Sequence, residues 1–407
     1  MAQYKFSPHT IILIFILYGL FSSSTPDNIS YVEIIIGLLL VLLVGLDGFS
    51  ELFKNSNFNK QIVSIPNVVK ISFFYLFFFP TFFGLLIKEN DLGNWLRDII
   101  PLLYIFLPIF LIKQINVIPK KLFISILISI SIVGVLFSLR FYIGATGSIK
   151  DIGQILIIPS NRDNIIQDPA VQFFLSFTSC ASVWFLLEKK FLISFAIFLL
   201  SFLPWSVTLA SISRGPIALT FLSIIILILY YFFKIKNKSS TILVLILIIT
   251  ILITFLENNS FNVIRNSLRL LIEKNYEFGF STRDLELYVV INSINFSLTN
   301  FFFGHGWGSL IEVSNSIILR NLHNIFLYFI YKTGIFGFIS ILIYFLWIIR
   351  LVFLIKFQNK IITLILISLL NPILYTSQLQ PMYKSLTFGT LILLIPLMYN
   401  LKNDDNL

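Results

Sequence analysis

The chain has 407 residues, of which 57% are hydrophobic and only 12% charged. A soluble globular chain is about 25% charged, so this composition excludes a soluble core. The net charge of +10 would suggest nucleic acid in a soluble protein. Here it becomes a question of where the cations sit relative to a bilayer, and no nucleic-acid partner is expected.

Runs of about 18 or more apolar residues read as spanning helices. In chain order the spans fall at roughly 10–25, 30–46, 68–87, 96–112, 122–139, 168–187, 191–209, 216–233, 241–256, 322–349, 361–377 and 385–400. The first follows MAQYKFSPHT, which lacks an A-x-A-like cleavage site, so it reads as a retained helix. The tenth is long for one crossing. Its Gly334 and Gly337 predict a kink or an interfacial start. The expected fold is an all-α polytopic membrane protein, one integral membrane domain over 1–407 with about twelve transmembrane helices and both termini on one side. Two long loops stand out, 140–167 and 257–320. Within the second, 261–273 and 283–296 have an amphipathic helical pattern that would lie along the membrane surface. No internal repeat is evident. The one cysteine, Cys180, sits in an apolar stretch and allows no disulfide within the chain.

The positive-inside rule places the N-terminus in the cytoplasm. Sixteen of the 29 cations then lie inside, and fifteen of these are lysines. Eight of the nine arginines fall outside: Arg97, Arg140, Arg162, Arg214, Arg265, Arg269, Arg283 and Arg320. Orientation needs only positive charge, and lysine supplies it. Arginine adds a rigid fork that binds phosphate or carboxylate bidentately. The outer arginines therefore suggest an anion site on that face. The alternative is that they pair with acids in a folded loop layer.

Four short segments carry candidate chemistry. In Ser211-Ile212-Ser213-Arg214-Gly215-Pro216, Gly215 permits close backbone approach and Pro216 suits a first helical turn. Free N–H groups beside Arg214 would make an anion site; a plain inter-helix turn with a snorkelling arginine fits the spacing equally. In Gly279-Phe280-Ser281-Thr282-Arg283-Asp284-Leu285-Glu286-Leu287-Tyr288, Ser281 or Thr282 would cap a helix with Asp284 or Glu286 in its first turn. Arg283 would then mark a helix start or simply be solvated. Phe303-Gly304-His305-Gly306-Trp307-Gly308-Ser309 implies a tight irregular backbone beside a cavity, with His305 structural or a substrate contact. His323-Asn324 opens the tenth span, where a histidine can take a proton at neutral pH or serve only as an interfacial hydrogen-bonding group.

With His9, His305 and His323 the only histidines and no Cys/His cluster, no metal is expected. No G-x-x-x-x-G-K-[ST] occurs, so ATP and other cofactors are not expected. Lys332 is the main ionisable residue deep in a span. Ion-coupled transporters place several such groups at the midplane.

Taken in order, the S-R-G-P turn, the S-T-R-D-L-E-L-Y segment, F-F-G-H-G-W-G-S and L-H-N-I-F-L-Y-x-x-x-K-T-G-I-F-G resemble the O-antigen polymerase/ligase superfamily. The resemblance covers about 168–400, with the motifs in 211–337. One departure concerns the loop segment, where the family often has a Gly before its Arg and a Trp further on. Here these are Thr282 and Tyr288. The resemblance implies periplasmic-face glycosyl transfer in the bacterial inner membrane, from an undecaprenyl-diphosphate-linked oligosaccharide that serves as donor and acceptor. It assigns the diphosphate to Arg214 and Arg283 and the role of general base to His323. Further substrate contacts are expected at Ser213, Gly215, Asn324, Arg162, Arg265, Arg269, Arg320 and His305. Membrane lipids and a chain-length regulator protein are the other expected partners. A polymerase of repeat units is preferred, with a ligase onto lipid A–core as the alternative and a polyprenyl-glycan flippase behind both.

Overall fold

The computed structural model describes residues 8–22, 31–53, 63–146, 168–210, 214–234, 283–295, 297–314, 317–319, 321–355 and 359–401. Its helices are α1 (Pro8–Phe21), α2 (Tyr31–Phe53), α3 (Asn67–Phe82), α4 (Leu92–Ile105), α5 (Leu107–Phe110), α6 (Ile112–Val117), α7 (Pro119–Thr146), α8 (Pro169–Leu187), α9 (Phe191–Ala210) and α10 (Arg214–Lys234). After an undescribed stretch come α11 (Arg283–Asn295), α12 (Leu298–Phe303), α13 (Ile325–Leu354), α14 (Lys360–Gln378) and α15 (Leu386–Leu401). Among the described residues, seven helices are long and apolar enough to cross a membrane, and shorter apolar helices accompany them. The protein is a multi-pass α-helical membrane protein. The predicted span 241–256 and the amphipathic stretch 261–273 lie outside the described residues.

One predicted crossing is broken. The stretch 96–112 is not a single helix but parts of α4, α5 and α6, with non-helical backbone at Phe106 and Leu111. Pro108 explains the break, because it has no N–H to return to the carbonyl four residues back. In a bilayer the freed carbonyls need other partners. The Tyr344 hydroxyl donates to the Ile105 carbonyl at 2.7 Å. The kink expected in the tenth span is present at Gly334, whose φ is 65°.

The large loop also holds a two-stranded antiparallel hairpin, β1 (Ile311–Ser314) and β2 (Ile317–Leu319), with Ile311 opposite Leu319 and Glu312 opposite Ile318. The alternating, β-branched I-E-V-S…I-I-L pattern around a polar Asn315-Ser316 pair was its signal.

The chain divides into two compact units, each assembled from separated segments. The first comprises Met1–Ile132, Thr282–Asn359 and Thr376–Leu407. Phe73 at its centre meets Phe106 and Phe110 edge-on at 5.1 and 5.4 Å. The second comprises Val133–Ser281 and Lys360–Tyr375. Here Cys180, Trp184, Leu187, Leu227, Tyr231, Leu364 and Ile367 form a buried cluster. Asp168 caps α8 by accepting from the Ala170 N–H at 2.8 Å, with Pro169 at the first helical position. At the far end of α8, Glu188 accepts from Lys360 through both carboxylate oxygens at 2.8 Å and from Trp184 at 2.6 Å. Asn371 is fully buried and donates to Ser176 Oγ and Thr220 Oγ1, both at 2.8 Å, and to the Pro216 carbonyl at 3.3 Å. It thereby ties α14 to the first turn of α10, just after Arg214.

Candidate functional site

The first unit brings His323 to a buried carboxylate. Asn324 is the N-cap of α13. Its side-chain oxygen accepts from the N–H groups of Phe326 and Leu327 at 2.8 and 3.2 Å. Its amide donates to Gln378 Oε1 at 2.6 Å. The residue before the cap, His323, is thus held at a helix start. Glu286 reaches it from α11. Its Oε1 lies 2.5 Å from His323 Nδ1, and its Oε2 accepts from the His323 backbone N–H at 3.0 Å. The glutamate is 1% exposed, while the histidine side chain is 29% exposed. Tyr383 adds a third hold, donating to the Leu322 carbonyl at 3.0 Å.

Why Glu286 points inward follows from its helix. Glu286, Val290 and Ile294 are buried at a spacing of four residues, while Leu285, Leu287, Tyr288 and Ile291 are exposed. The exposed face of α11 therefore carries apolar side chains, Leu285, Leu287, Tyr288 and Ile291. Glu286 was read only as a first-turn acid. Its pairing with a residue 37 positions away is tertiary, and no local signal announces it.

A second polar centre lies deeper in the same unit. Asp98 Oδ1 accepts from Tyr328 Oη at 2.6 Å and Lys384 Nζ at 2.9 Å. Its Oδ2 accepts from Lys332 Nζ and the Gly308 N–H, both at 2.8 Å. Lys332 also donates to the Ser309 carbonyl. All four side chains are buried. One carboxylate so joins α4, the glycine-rich turn, α13 and the segment Pro381–Lys384. Buried charges persist only when paired in this way. Lys332 was legible as an ionisable group in a span, but Asp98 and Lys384 were not recognised as its partners.

The glycine-rich turn is built against α3. Gly304, Gly306 and Gly308 have φ of 71°, 78° and 89°, the left-handed region open to glycine. A Cβ on Gly306 would collide with the backbone of Gly84, and one on Gly304 with that of Thr333. Asn90 donates to the carbonyls of His305 and Trp307 at 3.1 and 3.0 Å. The His305 ring stacks on Tyr331 at 4.5 Å, and its Nε2 is buried without a hydrogen-bond partner. Burial, with the ammonium groups of Lys88 and Lys332, pulls its imidazole down to about 4. Its ring is thus neutral at ordinary pH.

The other expected site residues are distributed as follows. Arg214 begins α10 and Gly215 follows it, in the second unit. Arg283 begins α11, in the first. Arg214 and Gly215, expected in the turn before the span, open the helix itself, and the side chains of Arg214 and Arg283 lie outside the described residues. Ser213, Arg162, Arg265, Arg269 and Arg320 also lie outside them.

Chemically, the described centre offers a partly exposed imidazole backed by a buried carboxylate, a pairing suited to proton transfer. No curated protein matches the chain. Residues 195–342, which include Arg214, Arg283, Glu286, His323 and Lys332, match the family model described as O-antigen ligase, which supports the resemblance to the O-antigen polymerase/ligase superfamily.

Proposed function

We propose that the protein is an O-antigen polymerase that joins undecaprenyl-diphosphate-linked oligosaccharide repeat units at the periplasmic face of the inner membrane. The single observation carrying this reading is the placement of His323: a partly exposed imidazole at the mouth of α13, within the segment that matches the family. Outside the cytoplasm a sugar donor must bring its own leaving group, and a lipid diphosphate does so. Negative charge grows on that diphosphate as the glycosidic bond breaks. Arg214 and Arg283 are assigned to it, since fixed guanidinium groups stabilise such charge more in the transition state than in the ground state. His323 takes the proton of the acceptor hydroxyl. A chain-length regulator protein is proposed as a partner.

The description of the matched family favours a second reading, in which the finished glycan is transferred to lipid A–core. Deleting the gene separates the two. Lipopolysaccharide carrying a single repeat unit supports the polymerase. Bare core with accumulated lipid-linked polymer supports the ligase. Accumulation of lipid-linked units on the cytoplasmic face rejects both and points to a flippase.

A further inference from the structure

A neutral imidazole is a base at only one of its two nitrogens, and something must decide which. In this protein the decision is built into α11. Glu286 spends both carboxylate oxygens on one residue, His323: Oε1 on the ring Nδ1 and Oε2 on the backbone N–H. The carboxylate is buried and cannot swing away to solvent. A carboxylate that accepts the backbone N–H through one oxygen is set to accept through the other as well, and the 2.5 Å contact then favours the proton on Nδ1. Among the described residues nothing bonds Nε2, and the ring is partly exposed.

We propose that Glu286 is a positioning residue that fixes His323 in the Nδ1–H tautomer, so that Nε2 presents its lone pair to the acceptor hydroxyl. This rests on the reading of His323 as general base. In the step so served, the acceptor O–H bond breaks and its proton passes to Nε2. The acceptor oxygen bonds the anomeric carbon, and the bond from that carbon to the diphosphate oxygen breaks with its electron pair leaving on the diphosphate. The imidazolium formed faces the Glu286 carboxylate, which supplies counter-charge without taking the proton.

The backbone contact makes the claim sharp. In Glu286→Gln, the amide oxygen must face the His323 N–H, because that group can only donate. The amide NH2 is then left facing Nδ1. A donor there forces the lone pair onto Nδ1 and the proton onto Nε2, which disarms the base.

The test uses full-length protein in nanodiscs, labelled with 15N-histidine. The chain has three histidines, and the His323 signals are those lost in His323→Ala. Activity is read on lipid-linked repeat units extracted from the deletion strain. Wild type should show a protonated Nδ1 and an unprotonated Nε2 at His323. Glu286→Gln should reverse the two and lower kcat about 100-fold or more, with KM for the lipid-linked units within about threefold. Leu287→Ala, on the exposed face of α11, should keep wild-type kcat. An unprotonated Nδ1 in the wild type overturns the proposal even if Glu286→Gln does not fold. So does a folded Glu286→Gln with unchanged kcat. A fully active His323→Ala would instead overturn the base itself, while an inactive His323→Ala beside a normal Glu286→Gln would remove only the role of Glu286.

Discussion

The indole N–H of Trp307 donates at 2.8 Å to the carbonyl of Leu76, the one carbonyl in α3 that Pro80 leaves without a helical donor. Proline at position i has no N–H for the carbonyl of i−4, and Pro80 lies four residues after Leu76. The Trp307 backbone N–H in turn donates to the Pro80 carbonyl at 3.1 Å. The glycine-rich turn thus repairs the defect in α3, and the repair anchors the turn.

Trp307→Phe should therefore cost about 1–3 kcal/mol, the penalty for a buried acceptor left unpaired. Pro80→Ala restores a local N–H and should recover part of that loss in the double variant. Thermal unfolding in detergent of the two single variants and the double variant checks the coupling.

Asp98 is the hub of the deeper network. Asp98→Ala leaves the Lys332 and Lys384 ammonium groups buried without their carboxylate, which should destabilise the protein by about 3 kcal/mol or more. Asp98→Asn keeps the shape but loses the charge and should fall between Asp98→Ala and wild type. The measurement is the unfolding midpoint of purified protein in detergent; equal midpoints for Asp98→Ala and wild type would contradict the role.

His305 gives a pH dependence with a defined sign. Its folded imidazole is held down to about 4, against an ordinary value of 6.5. Between those values the unfolded chain binds a proton that the folded chain does not. The stability contributed is complete above pH 6.5 and is lost as pH falls toward 4. The stability difference between wild type and His305→Gln should shrink over that window, by an amount on the order of 3 kcal/mol. A difference independent of pH would contradict it.

Arg214→Lys preserves charge but removes the bidentate fork, and should lose most polymerising activity if the guanidinium holds the diphosphate. Arg283→Lys carries the same expectation. Activity on lipid-linked repeat units checks both, and full activity in either variant removes that arginine from the role.

Long apolar runs made the spans legible: among the described residues, seven of the expected twelve coincide with helices long and apolar enough to cross a membrane, with those at 169–187 and 191–209 at nearly the expected boundaries. The kink at Gly334 was legible too, because a glycine inside a span too long for one crossing can take the positive φ that breaks the helix. The break at Phe106 was missed because hydrophobicity does not register the donor that Pro108 removes. His323 and Asn324 stand at the helix start where the sequence placed them. Glu286 and Asp98 were not legible, since a buried acid is identified by partners far along the chain. Lysine against arginine usage suggested an anion site on one face; the arginine side chains that would form it at 214 and 283 lie outside the described residues.

The central claim is that His323 is the base of a glycosyl transfer between lipid-linked units. Purified protein in nanodiscs, given lipid-linked repeat units from the deletion strain, tests it directly by the length distribution of the products. Wild type should yield a polymer ladder, and folded His323→Ala should yield only the single unit. A ladder from His323→Ala at the wild-type rate would contradict the account.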